Sequence, residues 1–87
     1  MKATVEISMY PLNEAYAKHV LSFIDGLKSH GGFKVRVNEI STHLFGDFDI
    51  IFDALRAEIK QAYIKHEKNV FVMKVLSADL EGSAEGL

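Results

Sequence analysis

The sequence predicts an α+β fold in which a four-stranded antiparallel sheet, built in the order βαββαβ, carries two helices on one face. Three observations predict it. Short runs alternate apolar and polar residues with the period of half-buried strands, two longer stretches repeat apolar residues at helical spacing, and the runs alternate in the order strand, helix, strand, strand, helix, strand. That order is the split βαβ or ferredoxin-like arrangement.

From Ala3 to Met9, the residues Ala3, Val5, Ile7 and Met9 alternate with Thr4, Glu6, Ser8 and Tyr10, and Pro11 ends the run. Asn13 is placed to cap a helix in which Ala17, Val20, Leu21, Ile24 and Leu27 recur until Gly31-Gly32 stops it. Phe33, Val35 and Val37 alternate with Lys34, Arg36 and Asn38. A turn near Asn38-Glu39 then leads into a strand expected from Ile40 to Phe45, so these two strands form a hairpin. Asp47 or Asp49 can cap the second helix, whose apolar face is Phe48, Ile51, Phe52, Leu55, Ile59, Ala62 and Tyr63. After a polar stretch over 65–69, the run Val70 to Leu76 reads as the last strand. One domain over 1–78 is expected, followed by a flexible acidic tail over 79–87.

The first and third strands are expected at the centre, running in the same direction, so that their C-terminal ends and both helix N-termini meet. The sheet face away from the helices is left bare, and the last strand is apolar on both sides. Such a face calls for a cover. Self-association as a homodimer or homotetramer, by stacking sheets or pairing edges, is the expected solution.

Composition narrows the classes of function. The chain has 87 residues, 48% hydrophobic and 25% charged, which is one ordinary globular domain with a thin core. Zero cysteines exclude a disulfide framework and a thiolate metal site, and fit a reducing cytoplasm. The N-terminal residues read neither as a signal peptide nor as a membrane span. A formal charge of -2 without a Lys/Arg cluster gives no footprint for nucleic acid or an anionic membrane. A small molecule or another protein is the expected partner.

Candidate site residues follow from the strand-to-helix corners. Tyr10, Asn13, Gly46 and Asp47 are expected to converge there, although capping and turning alone account for Asn13, Gly46 and Asp47. Glu6, Ser8, Ser41 and Thr42 are short polar groups on central strands where larger apolar residues would pack better; a ligand or an interface can satisfy them. His43 beside Thr42 can orient a ligand or move a proton near neutral pH, whereas a lone strand histidine is more often packed or at an interface. His19, His30, His43 and His66 show no metal-ligand spacing, so no metal is expected. Lys34, Arg36 and Lys74 can form a small basic patch on the sheet, bracketed by Glu6 and Glu39, whose plainest role is in ion pairs between subunits. No G-x-S-x-G, no Gly-rich phosphate loop and no other catalytic motif is present.

Glu6-Ile7-Ser8-Met9-Tyr10-Pro11-Leu12 and Ser41-Thr42-His43-Leu44-Phe45-Gly46-Asp47-Phe48-Asp49 together resemble the thiamine-binding protein family, small ferredoxin-like proteins related to the YkoF-type thiamine/hydroxymethylpyrimidine binders. The resemblance runs to about Leu76. The sequence departs from it at Phe45, where related chains often carry an acid, and at Asn38-Glu39-Ile40, where they often have a Pro-containing turn. The resemblance implies a non-enzymatic, cytoplasmic homo-oligomer that binds thiamine or its pyrimidine without any other cofactor. It places the ligand near Ser8, Tyr10, Ser41, Thr42, Gly46 and Asp47. An aminopyrimidine needs a donor/acceptor pair, from Ser8, Thr42 or Asn38, and a flat wall, from Tyr10 or Phe45. A thiazolium cation favours Glu6 or Asp47.

Two rival functions use the same residues. In a cofactor-free dimeric α+β barrel enzyme, His43 with Glu6 or Asp47 would move protons on a bound substrate. In a structural or regulatory oligomer, the polar strand residues satisfy an interface and no small ligand binds.

Overall fold

A computed structural model of the chain describes residues 1–65 and 68–81. Its elements are β1 (Lys2–Pro11), α1 (Tyr16–His30), β2 (Phe33–Val37), β3 (Thr42–Asp47), α2 (Phe48–Lys65) and β4 (Asn69–Leu76). The sheet order is β2-β3-β1-β4, and every neighbouring pair is antiparallel. This is the ferredoxin-like α+β fold, with both helices packed on one face of the sheet.

The direction of the central strands corrects the sequence reading. β1 and β3 run antiparallel, with Lys2 opposite Asp47 and Ile7 opposite Thr42. In a split βαβ unit it is β1 and β2 that share a direction, and β3 is inserted between them the other way. The two strand-to-helix corners therefore lie at opposite ends of the sheet, and Tyr10 and Asn13 do not converge with Gly46 and Asp47. The third strand also starts later than expected. Ile40 and Ser41 belong to the turn, closed by the Asn38 amide donating to the Ser41 carbonyl at 2.8 Å, and Ile40 is exposed.

The core lies between the sheet and the helices. Val5 and Ile7 of β1 and Leu44 of β3 meet Phe23 and Leu27 of α1 and Ile51, Ala54 and Leu55 of α2. Each of the larger side chains contributes about 1.5–3 kcal/mol by leaving water. Leu21, expected on the apolar stripe of α1, is exposed, and Phe23 packs against Phe71 of β4 with ring centroids 5.0 Å apart. The helices approach closely at Gly26, where an added Cβ would collide with the Glu58 carboxylate. His30 ties the last turn of α1 to that same carboxylate at 2.8 Å.

Local signals set the helix starts. The Asp47 carboxylate accepts the amides of Asp49 at 3.1 Å and Ile50 at 3.2 Å, so Asp47 caps α2. Asn13 accepts the Ala15 amide at 2.8 Å in an Asx turn, and α1 begins only after Ala15. Gly46, between β3 and that cap, has φ +151°, and a Cβ there would lie 3.0 Å from the Phe33 Cβ. Among the described residues no helix is long and apolar enough to cross a membrane. Of the tail expected over 79–87, residues 82–87 lie outside the described residues, as does His66.

Candidate functional site

Strand alternation sends Thr4, Glu6, Ser8 and Tyr10 of β1 to the face away from the helices, and the antiparallel register lines them up with their neighbours. Two cross-strand rows result. One is Lys74, Glu6, His43 and Arg36; the next is Leu76, Thr4, Phe45 and Lys34.

Glu6 is the centre of the first row. Its Oε2 accepts from His43 Nε2 at 2.9 Å and from the Ser41 hydroxyl at 3.2 Å, and its Oε1 lies 3.8 Å from the Lys74 ammonium. The Asn38 amide nitrogen lies 3.3 Å from each ring nitrogen of His43. A neutral ring with its proton on Nε2 satisfies both neighbours, donating to Glu6 and accepting at Nδ1 from Asn38. The hydrogen bond from His43, aided by Ser41 and Lys74, holds the Glu6 carboxyl below its ordinary value of 4.5 against a smaller desolvation that raises it. The carboxylate is thus kept ionised and pointed across an open face.

The second row is covered. Residues 77–81 leave the end of β4 and cross the sheet toward β2. The Thr4 hydroxyl donates to the Ala78 carbonyl at 2.7 Å and accepts from the Leu80 amide at 2.9 Å, while Lys34 pairs with Glu81. Phe45 lies beneath, 3% exposed although its strand position points away from the helices. The Arg36 guanidinium sits 5.2 Å from the centre of its ring. Between this crossing segment and the charged row is an open groove of about 380 Å³, lined by Thr4, Glu6, His43, Phe45, Lys74 and Leu80 among others. That volume falls in the range of small-molecule sites. A recess between the helices, beside His19 and Glu58, has about 20 Å³, room for little more than a water molecule.

The expected site residues divide accordingly. Glu6, Asn38, Ser41 and Phe45 gather at the groove or immediately beside it. Ser8 shares the face but donates its hydroxyl to the Ile40 carbonyl at 3.1 Å. Thr42 is buried on the helix side, opposite Ile7, and does not reach the open face. Tyr10 is 52% exposed at one end of the sheet, and Asp47 caps α2 at the other. Asp47 is held below its ordinary range mainly by the Ile50 amide. Among the described residues no group of three His, Cys, Asp or Glu gathers for a metal. Sequence reasoning missed Thr4 and Leu80 as site residues; the sign of Thr4 was its alternation with Glu6 and Ser8, and that of Leu80 an apolar side chain among the acids of the tail.

The profile of the YKOF-related family matches residues 2–82. The chain belongs to that family. No curated protein sequence matches it. Among solved structures it is similar to a Thermotoga maritima protein proposed to serve thiamine biosynthesis or salvage, at 19% identity, TM-score 0.83 and full coverage of both chains (100% and 100%). It is also similar to a hypothetical protein of Methanocaldococcus jannascii, at 24% identity and TM-score 0.80, with 97% of each chain covered. A Streptococcus pneumoniae protein matches at 19% identity and TM-score 0.74, over 99% of this chain and 97% of the other. At these identities the likeness establishes the shared fold. For the YKOF-related family as for any fold, function has to be argued from the site.

Proposed function

We propose that this YKOF-related protein is a non-catalytic, cytoplasmic binder of a small heterocycle, thiamine or its hydroxymethylpyrimidine moiety, and that the ligand occupies the groove beside Glu6. One observation carries the reading: an ionised carboxylate, fixed by His43 and Ser41, borders a largely apolar groove of about 380 Å³ next to an aromatic ring. A carboxylate accepts hydrogen bonds from an exocyclic amine and attracts a thiazolium, while Leu76 and Leu80 offer apolar contact. Family membership and the role proposed for the Thermotoga maritima relative point to the same class of ligand. The protein also self-associates in this reading. Tyr10, Val70, Val72 and Leu76 are exposed on the open face, and a second copy of the chain would cover them.

The test is the melting temperature of the full chain against thiamine, hydroxymethylpyrimidine, their phosphates and unrelated heterocycles, with calorimetry on each hit. A ligand that binds only the folded state stabilises it by about 2.7 kcal/mol at 100 times its dissociation constant. A selective rise with thiamine or its pyrimidine is expected; no shift at millimolar ligand would remove the binding role and leave a structural oligomer.

A second reading has its own observation, the 2.9 Å contact between Glu6 and His43, which is hydrogen-bond geometry suited to general acid–base chemistry. An enzyme would consume a bound heterocycle and lose turnover in His43→Gln. Recovery of the ligand unchanged after prolonged incubation would eliminate it.

A further inference from the structure

We infer that residues 77–81 form a latched strap that makes the groove and holds its occupant, so that Leu80 is a ligand-contacting wall rather than part of a tail. The inference rests on the binding role proposed above for the groove; the latch itself does not depend on it. An open sheet face without the strap is a gently twisted surface with no concavity. Here concavity exists because the chain turns back after Leu76 and passes above the row Leu76, Thr4, Phe45, Lys34, raising Leu80 beside Glu6 and His43.

Two latches hold the strap, and both act across the strands. Thr4 bonds the strap twice through one hydroxyl, to the Ala78 carbonyl and from the Leu80 amide, satisfying backbone groups at the middle of the crossing. At its far end Glu81 pairs with Lys34 on β2, so the strap spans from one edge strand to the other. The consequence is visible at Phe45, which is 3% exposed on a face that is otherwise open. Burying that ring favours the closed strap by the same hydrophobic effect that would favour a flat ligand against it. Each latch is made by a single side chain of the sheet, so the strap opens by breaking few bonds and uncovering the Phe45 ring. A strap of this kind governs how long a ligand stays more than how fast it arrives.

Thr4→Val keeps the shape of the side chain and removes both hydrogen bonds; Glu81→Gln removes the ion pair; Leu80→Ala removes the wall. Amide exchange of Leu80, measured by NMR on the full-length free protein, tests the latch without any ligand. Protection of Leu80 that falls about tenfold in Thr4→Val is expected, equivalent to about 1.4 kcal/mol. Leu80 exchange equally fast in the two proteins would overturn the inference, whether or not a ligand is ever found. With thiamine as probe, Thr4→Val and Leu80→Ala should each dissociate roughly tenfold faster, and Glu81→Gln less so, with the difference shrinking at high salt. Unchanged or slower dissociation in Thr4→Val, in a protein whose wild type binds thiamine, would overturn the strap as a wall and leave the binding role standing. Failure of the wild type to bind any member of the panel, with Leu80 protected, would overturn the proposed function and leave the latch.

Discussion

Replacing Glu6 with glutamine isolates the charge at the centre of the groove. Glutamine keeps the length of the side chain and one acceptor oxygen, so it retains one of the contacts now made by His43 at 2.9 Å and Ser41 at 3.2 Å. What the fold loses is small. The Lys74 pair at 3.8 Å is between side chains 85% and 38% exposed, and such pairs contribute about 0.2–1 kcal/mol. One weakened hydrogen bond adds about 0.5–1.5 kcal/mol. The Tm should therefore fall by about 3–20 °C for a domain of this size. Binding should change more selectively. A thiazolium about 4 Å from the carboxylate gains roughly 4 kcal/mol at an effective dielectric near 20, before sharing the charge with His43 and Lys74 and screening by water. About a third of that remains, roughly tenfold in Kd. The neutral pyrimidine has no such term and should weaken by about threefold or less, the share of one altered hydrogen bond. Calorimetry of both ligands on both proteins measures the ratio. Equal losses would refute Glu6 as the counter-charge. Acid titration adds a check with a definite sign. Because the Glu6 pKa is lowered by folding, its contribution is present above its ordinary value of 4.5 and is lost as pH falls through the lower folded value. The stability gap between wild type and Glu6→Gln should close across that interval.

Other substitutions test the frame around the groove. Gly46→Ala forces a side chain onto φ +151° with its Cβ 3.0 Å from Phe33, and should destabilise the fold by about 1–3 kcal/mol in urea titration. Asp47→Ala should speed exchange of the Asp49 and Ile50 amides while leaving thiamine affinity unchanged, since Asp47 lies four residues beyond His43, about 13 Å along β3. Val72→Glu puts a charge on a residue that is 54% exposed on the apolar open face; it should keep the monomer's circular dichroism and shift the sedimentation coefficient to that of a single chain.

Most of the fold is legible in the sequence because it is written in local periodicities. Ala3, Val5 and Ile7 are buried where period two puts them, and Ile51 and Leu55 where the helical period does. Leu21 and Phe23 lie on opposite sides of α1, and the buried face runs through Phe23, Ile24 and Leu27, with Phe23 packed on Phe71 from the edge of the sheet, so Leu21 at the border of the apolar stripe is left exposed. The site is less legible, for a topological reason. Whether two strand ends meet depends on strand direction, which no single strand encodes, so the assumption of parallel central strands assembled Tyr10 with Asp47; Thr42 leaves the site for a different reason, strand parity, which puts it on the helix side opposite Ile7. Glu6 and Phe45 share the open face by residue parity and the β1–β3 register, while Asn38 and Ser41 reach it from the β2–β3 turn through their contacts with His43 and Glu6.

The same register explains why this open face carries a groove beside Glu6 and not at Ser8. At Ser8 the neighbouring strand position on β4 is Val72, and the serine hydroxyl is already used by the Ile40 carbonyl of the hairpin turn. At Glu6 the neighbours are Lys74 and His43, which fix the carboxylate without burying it, and the strap rises one row away. A carboxylate whose partners are an exposed ammonium and an imidazole can exchange either for a cationic or amine-bearing ligand with little loss, because those partners regain water as the ligand takes their place. Ser8 offers no such exchange, since displacing its bond would leave a turn carbonyl unpaired beneath the ligand. Charge placement and backbone closure thus fall on adjacent rows of the sheet, and the strap supplies the wall that a flat face cannot.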